Sequence, residues 1–549
     1  MTETARVTTF ESRSRADAVR EWALAHWFAL GVAGVTAVAA AFLLHQLMAW
    51  PPHEDETLAL FVGRNSASGV IEQVTRERGG APLHFIIAWG VAHLGFGLGG
   101  LRYVSAAFAL ASLPLIALLG RRLVGPLPAL VATVLVAASW GFLFHGVYGR
   151  MYSLFLFLSA ATFLALLRAL DRGGRGPWAL WVAATLLCVS AHPYGALVLA
   201  VQLAYILVAR RDRLRSAAWS FGAVAVLGIP FWITDLVLAG RFDVGVGSGS
   251  VDKLGGPWEI ARYLARSAGD FSSGWWPVLA AVLVLAAIGF VTAGREARLL
   301  VAAAVLVPTL AFSAARLGGS ASPESRHLIF VLPLFAVLVA VGLLRVTSRA
   351  PVLAVLAVSA LVFAEVAWAW HRTSPLFEWE PDARQAARAE AESFLATTSL
   401  PDDILFGYEP LYLGAWERAR DFPRTVLPRA DHRLALRTLE RHAPALGRGV
   451  WVLDASERNN VRPRLEIEAL APKPAEAFET RAFGPFLVLR TRDPVGSIDR
   501  YLGFAASAMV VGRSLGIGDA DINLLTIERA DRIQRGYGAS RRLRSDTSR

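Results

Sequence analysis

Residues 23–57 read ALAHWFALGVAGVTAVAAAFLLHQLMAWPPHEDET, which is a long apolar run followed directly by three acidic residues. The apolar part, residues 23–50, is long enough to cross a bilayer as a helix. It is too long for the core of a signal peptide and lacks a convincing cleavage site, so we predict an uncleaved signal anchor. Glu54, Asp55 and Glu56 then lie at the membrane–water boundary, where ionised side chains are tolerated and are often functional.

The rest of the chain is typical of a polytopic membrane protein with a mostly α-helical fold. Hydrophobic residues make up 55% of the sequence and charged residues only 18%, which excludes an ordinary globular protein. The hydropathy pattern predicts ten further spans, and thus about eleven transmembrane helices in total. The ten segments are 101–120, 127–147, 152–170, 177–192, 194–209, 217–240, 277–294, 299–315, 327–344 and 351–370.

Loop charge decides how a further apolar segment, residues 81–99, is interpreted. Arginines cluster in the turns at 120–125, 168–176 and 210–215, and again around the last spans. If residues 81–99 crossed the membrane, all of these turns would fall outside, against the positive-inside rule. We therefore predict that residues 81–99 form an interfacial helix within a first outer loop, residues 51–100.

This topology divides the chain into four parts. Residues 1–22 form a cytoplasmic N-terminal segment, and residues 23–370 form the transmembrane unit. Residues 371–495 are charged and punctuated by prolines, and their short strand-like and helix-like stretches predict a small extracytoplasmic α/β domain. Residues 496–549 are predicted to be an amphipathic segment followed by a basic, disordered tail.

Several classes of function are disfavoured by the sequence. The net charge of +11 is explained by cytoplasmic loop arginines, so we predict no nucleic-acid partner. Gly95, Gly97 and Gly100 satisfy the pattern G-x-G-x-x-G, but no βαβ unit flanks them, which argues against a dinucleotide site. No histidine pair at a spacing of three or four residues supports a metal site, and a divalent ion is left open as a cofactor. Because the sequence has no nucleotide-binding pattern and nucleotide sugars are scarce outside the cell, a transferase acting on the outer face would need a lipid-linked donor.

The predicted topology also brings charged side chains from separate span ends to the outer boundary. Besides the acidic cluster at 54–56, they include Arg102, Arg150, His192 and Arg326. Each of them has a simpler explanation by itself, because carboxylates cap helices, arginines reach lipid headgroups and histidines bind helix ends. Their recurrence on one face nevertheless predicts a functional site there.

Six short motifs, each loose by itself, occur in a characteristic order along the chain. They are Asp55-Glu56, Ala81-Pro82-Leu83, Leu101-Arg102-Tyr103-Val104-Ser105, Gly149-Arg150-Met151-Tyr152-Ser153-Leu154, Ala191-His192-Pro193-Tyr194-Gly195 and Arg326-His327-Leu328. In this order and membrane placement the chain resembles the GT-C superfamily of membrane glycosyltransferases. Within it, the chain is similar to the bacterial protein O-mannosyltransferases and lipid A aminoarabinose transferases, which depend on polyprenyl-phosphate sugars. The resemblance covers about residues 23–350.

The resemblance implies an inverting enzyme that transfers a sugar from a polyprenyl-phosphate donor to an acceptor hydroxyl on the extracytoplasmic face. Such a displacement needs a base for the proton of the acceptor. Asp55 matches the first-loop catalytic aspartate of the family, while Glu54 is left open as the base in a register shifted by one. Glu56 would orient the acceptor or the base.

The leaving group would be a lipid phosphate, which needs positive charge where negative charge develops. Arg150 and Arg326 would supply it, because a guanidinium group binds phosphate through two hydrogen bonds. His192 would assist by hydrogen bonding, and Tyr152 and Tyr194 would line the donor groove.

Arg102 and His327 are secondary candidates for the same site. Many relatives have tyrosine where this chain has His327, which weakens any role for that histidine. The family implies a multi-pass protein of the bacterial plasma membrane, in contact with membrane lipids and with a protein, lipid or polysaccharide acceptor.

Two other functions are compatible with the same residues. A non-enzymatic exporter of lipid or polysaccharide could use the outer charges to bind its substrate. Polar residues across the middle of the membrane would favour it, whereas Asp235 and Glu365 lie near span ends. A metal-dependent hydrolase could use the histidines and carboxylates as ligands.

Overall fold

The structure is a computed structural model that describes residues 15–242, 257–317, 324–407, 409–419, 421–428, 432–443, 446–455 and 477–515. The predicted basic tail and most of the N-terminal segment lie outside the described residues. The first half of the chain contains α1 Arg15–Gln46, α2 Glu54–Gly63, α3 Ala67–Glu72, a π-helical turn Gln73–Arg78, α4 Pro82–His93, α5 Gly97–Val124, α6 Pro126–Ala138, α7 Trp140–Val147 and α8 Tyr152–Arg172.

Helices continue to the end of the predicted transmembrane unit. They are α9 Arg175–Ala191, α10 Gly195–Ala209, a 3₁₀ turn Arg211–Arg213, α11 Leu214–Leu227, α12 Ile229–Phe242, α13 Pro257–Asp270, α14 Trp276–Thr292, α15 Arg295–Leu317, a 3₁₀ segment Ser325–Val331, α16 Leu332–Val346, α17 Pro351–Arg372 and a 3₁₀ turn Ser374–Leu376.

Every segment predicted as a span coincides with one of these helices or with two consecutive helical elements. Among the described residues, six helices are long and apolar enough to cross a membrane, or up to eight if each of two bent pairs is one span. The number of eleven spans therefore stays a prediction.

Large apolar side chains cover the outside of the helical bundle. Val38, Trp219, Leu236, Val352 and Phe363 are all exposed. In water such a surface would drive association, whereas lipid tails accept it. Together with the long apolar helices, it makes the chain a multi-pass membrane protein.

The segment 81–99 is not one helix, which corrects the sequence-based boundary. Helix α4 ends at His93, and α5 begins at Gly97 after a short turn. At 1.5 Å per residue, the 12 residues of α4 extend about 18 Å, which is too short to cross a membrane. The position of α4 at the membrane surface stays a prediction.

A sharp bend separates α6 from α7 and sets the direction of the chain that leads to Tyr148 and Arg150. The two helices are inclined by 55°, and Ser139 lies between them in an extended conformation. Its hydroxyl accepts a hydrogen bond of 3.3 Å from the Phe142 amide, which is the geometry of a helix N-cap. Helix α7 therefore starts in a new direction and ends at Val147, immediately before Tyr148 and Arg150.

The C-terminal segment forms a five-stranded mixed sheet in the order β2-β1-β3-β5-β4. Strands β2, β1 and β3 are parallel, while β5 pairs antiparallel with both β3 and β4. The elements are α18 Asp382–Thr398, β1 Ile404–Phe406, α19 Pro410–Arg418, β2 Thr425–Leu427, α20 His432–His442, β3 Gly449–Asp454, β4 Phe478–Phe483, β5 Phe486–Thr491 and α21 Ile498–Ser514.

Helices cover both faces of this sheet, so the central strand β3 is buried on both sides. Val450 packs in the cluster that contains α18 and α19, and its neighbour Trp451 packs in the cluster that contains α21. The ring centroids of Tyr501 and Trp451 are 5.6 Å apart. Helix α21 therefore belongs to the α/β core. This corrects the predicted domain boundary at residue 495, and it corrects the prediction of a peripheral amphipathic segment after that residue.

The α/β segment packs on the first loop of the chain. Phe61 of α2 lies with its ring centroid 5.3 Å from that of Trp416 in α19. The guanidinium carbon of Arg64 lies 4.3 Å from the Trp416 ring centroid, and Arg64 also pairs with Glu417 at 3.8 Å. The first loop is thus held between the bundle and the α/β segment.

Candidate functional site

The acidic cluster starts helix α2, and His53 is its N-cap. The Asp55 amide donates a hydrogen bond of 3.1 Å to Nδ1 of His53, and the His53 amide donates one of 3.0 Å to Oε2 of Glu56. This reciprocal capping box satisfies two amides that the helix leaves unpaired. Carboxylates in the first turn are also favoured by the helix dipole. Asp55 is therefore held in a defined place at the entrance of α2.

Glu56, predicted to orient the acceptor or the base, is turned into the protein interior. Its side chain is fully buried, and Arg102 donates hydrogen bonds of 2.9 and 2.7 Å to its two carboxylate oxygens. The Gly149 amide donates a third, of 2.7 Å. Arg102 also binds the main-chain oxygens of Leu47, Trp50 and Pro51, so it does not reach lipid headgroups. The pair joins α1, α2, α5 and the loop before α8.

Asp55 is partly exposed, and side chains from distant parts of the chain lie around it. The Tyr148 hydroxyl donates a hydrogen bond of 2.8 Å to Oδ2 of Asp55. Nη1 of Arg326 lies 3.9 Å from the same oxygen. Nη1 of Arg150 donates a hydrogen bond of 2.9 Å to the main-chain oxygen of Asp55. The Asp55 side chain remains 35% exposed, so it is accessible to a ligand.

The charged side chains around Asp55 determine its ionisation state. Burial by itself would raise the pKa of the Asp55 carboxyl. The charge of Arg150, with smaller contributions from its neighbours, outweighs burial and holds that pKa well below its usual value. Asp55 is therefore a carboxylate at neutral pH.

Glu54 occupies the same helical turn and is half-buried. Its main-chain oxygen accepts a hydrogen bond of 2.7 Å from the Thr57 hydroxyl. The choice between Glu54 and Asp55 as the base stays a prediction, and the structure adds that Tyr148 and Arg326 contact the Asp55 side chain while Arg150 contacts its main chain.

The two arginines have donor groups that the described residues leave unused. Nη2 of Arg326 pairs with Glu324 at 2.8 Å, and its guanidinium carbon lies 5.3 Å from the Tyr152 ring centroid. The Nε atoms of Arg326 and Arg150 are both buried and have no hydrogen-bond partner among the described residues. Unpaired buried donors are costly, so these groups are suited to an anionic ligand.

Aromatic and histidine rings line the space beside the arginines. The Tyr194 ring centroid lies 4.6 Å from that of His327 and 5.4 Å from that of His192. Tyr152 lies 5.4 Å from His192. Nδ1 of His192 accepts from the Tyr194 amide at 3.1 Å, and Nδ1 of His327 accepts from the Glu324 amide at 3.0 Å. Both histidines thus hold their own loops and keep Nε2–H as a donor.

Sequence reasoning missed three residues of this site as specific candidates. Tyr148 contacts the Asp55 carboxylate directly, and His53 caps its helix. His145 is buried under Tyr152, with ring centroids 4.6 Å apart, and neither ring nitrogen has a partner among the described residues. Tyr148 and His53 lie between predicted spans, and His145 lies near the end of the predicted span 127–147; these positions were the available signal. Within the described part of the chain, no group of three or more histidine, cysteine or acidic residues is arranged to hold a metal ion.

No family model and no curated protein matches the sequence. Solved structures do match. ArnT from Cupriavidus metallidurans bound to undecaprenyl phosphate is 14% identical, with a TM-score of 0.55 over 84% of this chain and 98% of that one. The same protein in the apo state is 16% identical, with a TM-score of 0.55 over 85% and 98%. The arabinofuranosyltransferase AftD from Mycobacteria is 16% identical, with a TM-score of 0.51 over 85% of this chain and 40% of that one. The chain has the fold of the GT-C glycosyltransferases.

Proposed function

We propose that the protein is a membrane glycosyltransferase that transfers a sugar from a polyprenyl-phosphate donor to an acceptor hydroxyl, with inversion. One observation carries the proposal: a carboxylate, Asp55, lies beside two arginines, Arg150 and Arg326, whose buried Nε groups have no partner among the described residues. A base and a phosphate-binding pair are the two elements that this reaction requires. The fold supports the proposal of a polyprenyl-phosphate donor, because ArnT, which has a similar fold, has been solved bound to undecaprenyl phosphate.

The step proceeds as a single displacement. The acceptor oxygen forms a bond to the anomeric carbon while the bond between that carbon and the phosphate oxygen breaks. The electron pair of the broken bond stays on the phosphate, where Arg150 and Arg326 stabilise it. The proton of the acceptor hydroxyl passes to the Asp55 carboxylate. His192 donates a further hydrogen bond to the phosphate, and Tyr152 and Tyr194 line the donor.

Donor binding also makes Asp55 a better base. Without donor, the charge of Arg150 and its neighbours keeps the pKa of Asp55 well below its usual value. Phosphate oxygens that bind the two arginines offset this positive charge, so the pKa of Asp55 rises. The carboxylate then accepts a proton more readily when a donor is in place than when the site is empty.

The membrane orientation follows from the same proposal. The site lies on the extracytoplasmic face of a bacterial plasma membrane, with the N-terminus in the cytoplasm, because the arginine-rich turns lie at the opposite ends of the helices. The α/β segment packs on the first loop through Trp416 and Arg64. It is thereby close enough to the site to help select a protein, lipid or polysaccharide acceptor.

The test uses the full-length protein in proteoliposomes with a panel of undecaprenyl-phosphate-linked pentoses and hexoses. Asp55→Asn keeps an oxygen for the Tyr148 hydroxyl but cannot take a proton, so turnover of the accepted donor falls by a factor of about 10² to 10⁴. Glu72→Gln, an exposed substitution in the same loop, is the matched control and keeps full turnover. Undiminished turnover in Asp55→Asn would remove Asp55 as the base.

Binding of undecaprenyl phosphate alone tests the phosphate site without knowledge of the sugar. Arg326→Gln and Arg150→Gln should each weaken binding about tenfold or more, because a charge-assisted contact is lost. Asp55→Asn should not weaken it, since this change removes a negative charge. If neither arginine variant changes the affinity for undecaprenyl phosphate, the phosphate is bound elsewhere.

A further inference from the structure

A groove lies far from Asp55, at the other end of the helical bundle. It has a volume of about 560 Å³ and lies between the turn that joins α5 to α6, the turn that joins α14 to α15, and the end of α16. Its lining includes Val124, Pro128, Gly294, Leu344, Arg345 and Ser348.

Two helices fix the distance between this groove and the candidate site. Helix α5 runs from the region of Arg102, which binds Glu56, to Val124 in the groove. At 1.5 Å per residue, these 22 steps correspond to about 33 Å, which is close to the thickness of the hydrocarbon core of a bilayer. Helix α16 likewise follows the segment with Arg326 and ends beside Arg345. With the candidate site at the outer membrane boundary, as proposed above, the groove opens at the headgroup level of the opposite leaflet.

The groove combines apolar walls with an unpaired positive charge. Within the described residues, Arg345 and Ser348 form no side-chain hydrogen bond or ion pair, and both are exposed. On the same face, by contrast, Arg122 pairs with Asp171 at 2.9 Å and with Glu296 at 2.8 Å. Among the described residues that line the groove there is no carboxylate, so none of them offsets the charge of Arg345.

We propose that this groove binds one anionic glycerophospholipid, with its phosphate on Arg345 and its acyl chains along the apolar walls. The arginine-rich turns around it make this end of the bundle electropositive, which favours an anionic over a zwitterionic headgroup. The walls suit acyl chains because they are formed by Val124, Leu344 and their apolar neighbours. The lipid would tie three turns together at the face opposite the reaction, independently of glycosyl transfer.

Native mass spectrometry of the full-length protein in detergent measures the binding directly. The probes are phosphatidylglycerol and phosphatidylcholine with identical acyl chains. Unmodified protein should bind phosphatidylglycerol about tenfold more tightly, and Arg345→Gln should remove this preference. Arg349→Gln is the matched control, since Arg349 is exposed on the same face but does not line the groove.

A second pair of variants changes the groove without touching Arg345. Gly294 caps α15, because its carbonyl accepts from the Arg298 amide at 3.1 Å, and a Cβ there would meet no atom within 4 Å. Asparagine and aspartate are both good N-caps, so neither should disturb folding. Gly294→Asp should weaken phosphatidylglycerol binding at least tenfold, whereas Gly294→Asn should keep most of it.

Three results would overturn the proposal. They are equal binding of the two lipids by the unmodified protein, equal effects of Arg345→Gln and Arg349→Gln, and equal effects of the two Gly294 variants. If undecaprenyl phosphate displaces phosphatidylglycerol at equal concentration in an Arg345-dependent way, the groove belongs to a polyprenyl phosphate and the assignment to a glycerophospholipid is wrong.

Discussion

The Tyr148 hydroxyl donates a hydrogen bond of 2.8 Å to Oδ2 of Asp55, and the same hydroxyl lies 3.2 Å from Nδ1 of His53. Tyr148 therefore links the proposed base to the residue that caps its helix. A donor to a carboxylate stabilises the ionised form, so this hydrogen bond helps to keep the pKa of Asp55 low.

Tyr148→Phe should move the acid limb of the pH–rate profile to higher pH. The base is active above its pKa and loses activity as the pH falls through it. The charge of Arg150 is the largest influence that lowers the pKa of Asp55, and the Tyr148 hydrogen bond adds to it, so loss of this bond should raise that pKa. The measurement is kcat between about pH 4 and pH 8, because kcat reports the donor-bound enzyme, in which the pKa of Asp55 is raised. Tyr103→Phe, on an exposed tyrosine, is the control, and an unmoved limb in Tyr148→Phe would contradict this role.

Arg102→Met should destabilise the protein strongly, because it leaves the Glu56 carboxylate buried without its partner. Removing one member of a buried ion pair costs about 3–5 kcal/mol. The double variant Glu56→Gln with Arg102→Met should recover part of this loss. Thermal unfolding in detergent measures the effect. Arg76→Met, in an exposed pair with Glu72, should change stability by less than about 0.5 kcal/mol, and a similar effect in both arginine variants would argue against the buried network.

The helices were predictable because long apolar runs carry a local signal. Each predicted span coincides with helical elements. The convergence of Asp55, Arg150 and Arg326 was also predictable, since loop charge places these span ends on one face.

Contacts between distant residues carried no such signal. Glu56 and Arg102 are 46 residues apart, and no local pattern distinguishes a buried carboxylate from the proposed base beside it. Helix α21 looked peripheral because its partner, Trp451, lies in a strand about 50 residues earlier. The break at Ser139 was missed because an N-cap serine inside an apolar run does not interrupt hydropathy.

Ser325→Ala should weaken donor binding, because Ser325 fixes the segment that carries Arg326. Its hydroxyl donates a hydrogen bond of 2.5 Å to Oδ2 of the buried Asp270 at the end of α13. The Tyr263 hydroxyl of the same helix binds the Glu324 main-chain oxygen at 3.1 Å. Loss of one such bond is worth about 1 kcal/mol, so the KM for the donor should rise about fivefold with little change in kcat.

Ser313→Ala is the control for this prediction, because the Ser313 hydroxyl binds only a carbonyl of its own helix α15. Asp270→Asn should act in the same direction as Ser325→Ala. A fall in kcat with an unchanged KM would show that Asp270 and Ser325 act on another part of the reaction.

Gly289→Ala and Gly342→Ala should both destabilise the bundle where α14 crosses α16. A Cβ on Gly289 would lie 1.9 Å from the Leu338 main-chain oxygen, and a Cβ on Gly342 would lie 1.9 Å from that of Leu285. Because both obstacles are backbone atoms, the helices must separate, at a cost of about 3 kcal/mol or more. Gly222→Ala is the opposite case, since a Cβ there meets nothing within 4 Å, and it should stabilise its helix by about 0.5–1 kcal/mol. The measurement is the thermal unfolding midpoint of the three variants in one detergent. Equal midpoints would mean that α14 and α16 pack less closely than these distances indicate. Since α16 follows directly on the segment with Arg326, the two destabilised variants should also bind undecaprenyl phosphate more weakly than Gly222→Ala.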